Sequence, residues 1–133
     1  MTAFTTYTPT DADVRSVLDW FGRYDALVRK GEVESMADMA MFPLNNVTDD
    51  AEGNGKATPG TREEFVRDMA QIVSDVEIHS TRTPHFLSAS LVFVVTEAYF
   101  TVEGQTQHMR YGDLLVKNGG VWYFQTMVQG GWG

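Results

Sequence analysis

The sequence predicts an α+β fold, with three N-terminal helices packed on one face of a strongly curved antiparallel sheet. Two observations carry this. Up to Val73 the apolar residues recur mainly at helical spacing, whereas from Val76 onward the chain runs in long stretches rich in β-branched and aromatic residues. Those stretches are divided by Glu103-Gly104 and Asn118-Gly119-Gly120, which read as hairpin turns, so the strands follow one another as a meander.

Residues 1–9 are expected to form a loose arm. Thr10 or Asp11 then caps a first helix, with acids in its first turn. Val14, Val17, Leu18, Phe21 and Val28 fall at helical spacing, and Trp20, Tyr24 and Leu27 widen the apolar face. Arg15, Asp19 and Arg23 face the other way, and Gly31 ends the helix. A second helix is expected from Val33 to Met41, with Val33, Met36, Met39 and Ala40 inward and Pro43 as its stop.

Leu44–Thr48 reads as a short strand. The run TDDAEGNG, Thr48 to Gly55, is a turn by composition, and Thr58-Pro59-Gly60 is another break. Thr61-Arg62-Glu63-Glu64 is a capping box, opening a third helix to about Val73 with Phe65, Met69, Ile72 and Val73 inward. The strands that follow are Val76–Thr83, Phe86–Val102, Thr106–Lys117 and Val121–Gln129, with Pro84 interrupting the first two. A bent sheet closed by helices leaves a cone with a hollow, and such hollows take small molecules.

The 133 residues fit one domain, with 130–133 as a flexible tail and no internal repeat. A net charge of −8, with ten scattered basic residues, argues against nucleic acid and anionic membranes as partners. With no cysteine, disulfides, thiolate metal sites and cysteine nucleophiles are excluded. The N-terminus lacks the pattern of a secretory signal, and LVFVVTEAYF is too short and polar to span a bilayer, so the expectation is a cytoplasmic protein. No Gly-rich phosphate loop or GxSxG occurs, and His79, His85 and His108 form no HxH or HxxxH pair. Neither a cofactor nor a metal is expected.

Three strings carry a resemblance: RYDALVRKGEVESMADM, GTREEFVRDM and RYGDLLVKNGGVWYF. In this order, from Asp11 to about Gln129, the chain resembles the nuclear transport factor two-like superfamily, also called cystatin-like α+β cones. The superfamily includes ketosteroid isomerases, scytalone-type dehydratases, polyketide cyclases, dioxygenase small subunits and transport adaptors, so the fold alone fixes no activity. The resemblance implies an apolar internal pocket and a homodimer formed through the outer sheet face. The aromatic strands Phe93–Phe100 and Val121–Val128 agree, offering more apolar surface than one core needs.

The nearest catalytic resemblance is to ketosteroid isomerase and polyketide cyclase-like members. Ketosteroid isomerase removes a proton beside a carbonyl with an aspartate base and stabilises the oxyanion with a tyrosine and a protonated aspartic acid. Carried over by position, Tyr24 and Asp113 are the donors and Asp50, or Asp49, is the base. The path from Tyr24 to Asp50 is about two residues longer than that family's spacing. The pocket is expected to be lined by Trp20, Phe42, Phe65 and Met69 from the first half, and by His85, Tyr99, Met109 and Tyr111 from the strands.

Each candidate also has a plainer reading. Tyr24 can be a core tyrosine whose hydroxyl reaches the rim, and Asp49 and Asp50 an exposed acidic turn. Alternation puts Met109, Tyr111, Asp113 and Leu115 on one face and Arg110, Gly112, Leu114 and Val116 on the other. Asp113 is then a pocket acid, an outward charge or an arginine's partner. Glu97 shares a face with Phe93, Val95 and Tyr99, and pairing with Arg82 or Arg110 is the favoured reading. A His-Asp pair, as in the dehydratase branch, needs His79 or His85 to turn toward Asp113. Two functions stay open: an isomerase or lyase acting on a small apolar carbonyl compound, and a non-catalytic ligand-binding or dimeric interaction module.

Overall fold

The same local device opens two of the helices. In the computed structural model, which describes residues 6–72 and 77–131, the Thr10 hydroxyl accepts from the Asp13 N–H while the Asp13 carboxylate accepts from the Thr10 N–H. This starts α1 (Asp11–Lys30), which Gly31 closes in the left-handed conformation with φ 68°. After α2 (Val33–Asp38), the box recurs at Thr61 and Glu64 to start α3 (Arg62–Met69).

The second helix is shorter than predicted. It ends at Asp38, and the chain enters β1 (Ala40–Asp49) directly. Pro43, expected as a helix stop, lies inside β1 after a cis Phe42-Pro43 peptide, where the ladder to the neighbouring strand slips register. An irregular stretch tolerates a residue with no N–H to donate. The expected break at Thr58-Pro59-Gly60 belongs to a strand, β2 (Gly55–Gly60), which pairs only with β1. Being an edge, it accommodates Pro59.

The single run expected from Phe86 to Val102 is two strands. β3 (Ile78–Ser88) and β4 (Leu91–Val102) are joined at Ala89-Ser90. Pro84 does not interrupt β3, because β3 is the other edge of the sheet. β5 (Gln105–Asn118) and β6 (Val121–Val128) complete a six-stranded sheet in the order β2-β1-β6-β5-β4-β3. Neighbours are antiparallel except β1 and β6, which run parallel.

The core lies between the helices and one face of the sheet. Val17, Trp20 and Phe21 of α1, Met36 of α2 and Phe65 of α3 meet Leu44, Val92, Val94, Leu115, Trp122 and Phe124. The helical apolar face is narrower than predicted, since Leu18, Val28 and Ile72 are 42%, 37% and 51% exposed. Val73, Val76 and Trp132, also assigned from the sequence, lie outside the described residues. The N-terminal arm is tied back at Tyr7, whose hydroxyl donates to Asp13 Oδ2 at 2.6 Å and whose ring meets Phe86 at 6.2 Å.

Candidate functional site

Alternation along the central strands decides what faces the helices. Thr96 of β4 lies between Arg82 of β3 and Tyr111 of β5, all three in one cross-strand row. The adjacent row holds Val94, Asp113 and Met127. Arg82 and Tyr111 of the first row and Asp113 and Met127 of the second line the floor of a cavity of about 510 Å³, while Thr96 and Val94 are fully buried. Its roof is α1, through Trp20, Phe21, Tyr24 and Asp25, with Met69 of α3 at one side. Val28, Ile72 and Ile78 surround its mouth; all three are exposed apolar residues.

Asp113 is 7% exposed, and among the described residues no donor hydrogen-bonds to its carboxyl. Burial pushes its pKa up to about 7; Arg82 opposes that rise and Asp25 adds to it. Tyr24 lines the same cavity. Burial first, and then the neighbouring Asp113 charge, raise its pKa, so the phenol stays protonated. Burial likewise raises the Tyr111 pKa, against the pull of Arg82.

The cation nearest the cavity floor, Arg82, is already engaged. Arg82 donates from Nη1 to Asp25 Oδ2 at 2.5 Å and from Nη2 to Asp25 Oδ1 at 3.0 Å. Its Nε donates to Thr96 Oγ1 at 3.3 Å and its Nη2 reaches the Tyr111 hydroxyl at 3.5 Å. The guanidinium also lies over the Phe21 ring at 4.3 Å. Burial works against its charge, but the bond and the charge of Asp25 outweigh burial and raise the Arg82 pKa.

Trp20, Tyr24, Met69, Met109, Tyr111 and Asp113 therefore line one cavity. The other expected site residues lie elsewhere. Asp50 is a turn residue: its Oδ1 accepts from the Glu52 and Asn54 N–H groups, both at 3.0 Å, and it does not line the cavity. Asp49 is held in the same way, accepting from the Gly131 N–H at 2.6 Å. Phe42 and Phe65 pack on each other at 6.0 Å as part of the core beside the cavity, with Phe65 against Phe124.

His85 is exposed on the outer face of the edge strand β3. Tyr99 is also on that face, 46% exposed and stacked on His108 with centroids 4.6 Å apart. Glu97 pairs with His108 and Arg110 there, while Arg82 goes to Asp25. His79 lies 3.6 Å from the Glu77 carboxylate in an exposed pair, so neither His79 nor His85 meets Asp113.

Sequence reasoning missed Asp25, Arg82 and Thr96 as site residues. Local pattern marks two of them as inward-facing but not as partners of each other. Asp25 lies four residues after Phe21, on the inward stripe of α1, and Arg82 alternates in step with Phe86. A second, more open groove of about 480 Å³ lies on the other side of Trp20, against Leu27, Met39 and Trp122. Its charged residues, Arg23 and Asp38, are exposed. Among the described residues no cluster of histidine and acids could hold a metal ion, and no helix is long and apolar enough to cross a membrane.

No protein-family model matches the chain, and no curated protein matches it by sequence. Solved structures do match. An NTF-2 like protein of unknown function from Shewanella oneidensis MR-1 is 14% identical, with a TM-score of 0.69 over 89% of this chain and 98% of the other. A candidate scytalone dehydratase from Novosphingobium aromaticivorans is 17% identical, with a TM-score of 0.64 over 88% and 82%. A cystatin-like fold protein of unknown function from Nostoc punctiforme is 12% identical, with a TM-score of 0.69 over 93% and 94%.

Proposed function

On the nuclear transport factor two-like, cystatin-like fold that this chain adopts, we propose that the cavity binds a small, largely apolar molecule bearing a carbonyl oxygen, and that Asp113 exchanges a proton with it. One observation carries this reading. A buried carboxyl faces an apolar cavity with no donor of its own among the described residues, beside a protonated tyrosine. Among the described residues no fully buried side-chain oxygen lacks a partner, so the Asp113 carboxyl opens on the cavity and can meet a ligand there.

A carboxyl with a pKa of about 7 serves either direction of proton transfer at neutral pH. Ionised, Asp113 takes a proton from the carbon beside the carbonyl, leaving an enolate whose oxygen the Tyr24 hydroxyl stabilises as a donor. Returning that proton at a different carbon gives an isomer. Expelling a β-hydroxyl as water, with a proton supplied to it, gives an alkene, as in a lyase. Asp50 has no part in this scheme. The likeness to a candidate scytalone dehydratase supports the lyase branch only at the level of fold.

A second reading, a binding module without catalysis, is favoured by the closed Arg82–Asp25 pair, which occupies the cation beside Asp113 and leaves Arg29 as the charged donor of the cavity lining, at its mouth. In either reading, all described strands joining one sheet supports a single domain. The outer sheet face is proposed as a homodimer interface. Phe93 and Val95 are half-buried there, and Leu91 and Tyr99 are 40% and 46% exposed.

The test is hydrogen–deuterium exchange beside the carbonyl, followed by NMR in D2O, across apolar ketones, enones and β-hydroxy ketones. Thermal shift on the same panel reports binding. Exchange that rises with pH through about 7 and vanishes in Asp113→Asn is the expected result. Binding without exchange selects the second reading, and neither binding nor exchange across the panel overturns both.

A further inference from the structure

We propose that Asp25 is a positioning residue for Asp113: it holds the Arg82 guanidinium on the α1 side of the cavity, and so keeps that cation from closing an ion pair with the Asp113 carboxyl. The inference rests on the reading that Asp113 serves a ligand.

The geometry is that of a clamp. A guanidinium is a flat fork with five donors, and its direction is set by what its edges hold. Both terminal nitrogens of Arg82 are on Asp25, at 2.5 and 3.0 Å, and Nε is on Thr96 at 3.3 Å. Of these partners only Asp25 is an anion. The Arg82 side chain is 10% exposed, so solvent cannot replace a lost partner.

Asp113 is the nearby alternative. It lies two residues along β5 from Tyr111, the cross-strand neighbour of Thr96, and so one row away from Arg82 on the same face. Yet among the described residues no ion pair joins Arg82 and Asp113. A buried cation deprived of its anion turns to the next one available. The ion pair so formed would hold Asp113 ionised and occupied.

The other groups around Asp113 do not compete for this role. From α1 come Tyr24 and Asp25, with Arg29 at the mouth; from β3 come Arg82 and, at the mouth, His79, with Glu77 just before the strand. On β5 the remaining group is Tyr111. The lining residues of β4, β6 and α3 carry no charge.

The test titrates the Asp113 carboxyl directly by carbon NMR of aspartate-labelled protein, with the signal assigned by its loss in Asp113→Asn. Asp25→Asn is expected to lower the Asp113 midpoint by about one unit or more, the effect of a newly adjacent cation. Asp25 also acts on Asp113 through its own charge, so the substitution is repeated in an Arg82→Gln background. Positioning predicts less than half the shift there, and Asp25→Glu, which keeps the carboxylate, predicts a return toward the wild-type midpoint.

The same shift in both backgrounds, or none in the first, overturns the inference. Should Asp25→Asn not fold, Arg82→Lys tests the same point, because an ammonium cannot straddle Asp25. A lowered midpoint supports the clamp, and an unchanged or raised one overturns it. A wild-type midpoint near the ordinary carboxylate value overturns the functional reading itself, which separates the two failures.

Discussion

Trp20 and Tyr24 lie one turn apart on α1 with their rings parallel, planes 4° apart and centroids separated by 5.5 Å. Trp20 is itself fixed, since its Nε1–H donates to the Trp122 carbonyl at 3.0 Å. Phe124 meets both rings edge-on. The stack holds Tyr24 in place while, among the described residues, nothing hydrogen-bonds to its hydroxyl. Tyr24→Phe keeps the stack and removes only the oxygen. Folding stability is expected to stay within about 0.5 kcal/mol of wild type in urea denaturation. Affinity for a carbonyl ligand, measured by calorimetry, is expected to fall roughly tenfold, the value of one hydrogen bond. Unchanged affinity would remove Tyr24 from the site.

The raised proton affinity of Asp113 is also a statement about stability. Between the ordinary value of 3.8 and about 7, the unfolded chain has lost this proton and the folded chain keeps it. The folded state binds more protons, so stability falls as pH rises through that window and is flat above it. A shift of this size corresponds to ~4 kcal/mol given up by pH 8. Asp113→Asn keeps the shape and never ionises. Its advantage over wild type is expected to open from about zero at pH 4 to roughly 2–4 kcal/mol at pH 8 in paired denaturation curves. A gap that does not change with pH would mean that Asp113 titrates as an ordinary exposed acid.

These two residues also mark how far the sequence could be read. Local chemistry was legible: the Thr61 box, the Gly31 stop and the two glycine-bearing hairpins stand where they were predicted, and of the two expected caps, Thr10 and Asp11, it is Thr10 that caps α1. Strand β2 was not, because GKATPG is an exposed edge with no apolar alternation, and only pairing with β1 makes it a strand. The turn at Ala89-Ser90 has no glycine, proline, asparagine or aspartate to announce it. Within the site, period two along β5 separated the Asp113 side from the Gly112 side. The Arg82–Asp25 clamp joins residues 57 apart and depends on how α1 crosses β3, which no local pattern encodes. Asp50 failed for the opposite reason. Its turn chemistry was legible as one of two readings, and the turn is what holds it; only its position by resemblance suggested a base.

The third helix offers a check on the capping argument. α3 spans Arg62–Met69, two turns, and Phe65 is its buried residue. A helix so short leans on its ends. Thr61→Ala removes the acceptor for the Glu64 N–H and is expected to cost about 1 kcal/mol in urea denaturation. Thr61→Ser, which keeps the oxygen, is expected to recover most of it. Equal losses for both would place the role of Thr61 in its methyl group.

Gly112 and Phe93 make the sharpest packing prediction, and it lies on the outer face. A Cβ on Gly112 would sit 2.4 Å from Phe93 Cζ and 2.9 Å from Cε1, well inside contact distance. The Phe93 ring thus lies across the bare glycine backbone, covering the ladder where Val95 faces Gly112. Alanine has the better intrinsic fit to a strand, by roughly 0.5–1 kcal/mol. The collision forces the ring away and is expected to cost more, so Gly112→Ala should destabilise by a net of about 1–2 kcal/mol in urea. If this face is the homodimer interface, displacing the ring also weakens association, which sedimentation at several concentrations would read. A double-substitution cycle isolates the cause. In a Phe93→Ala background the three ring atoms nearest the added methyl are gone, and the cost of Gly112→Ala should fall sharply. The same cost in both backgrounds would show that the ring is not why residue 112 must be glycine.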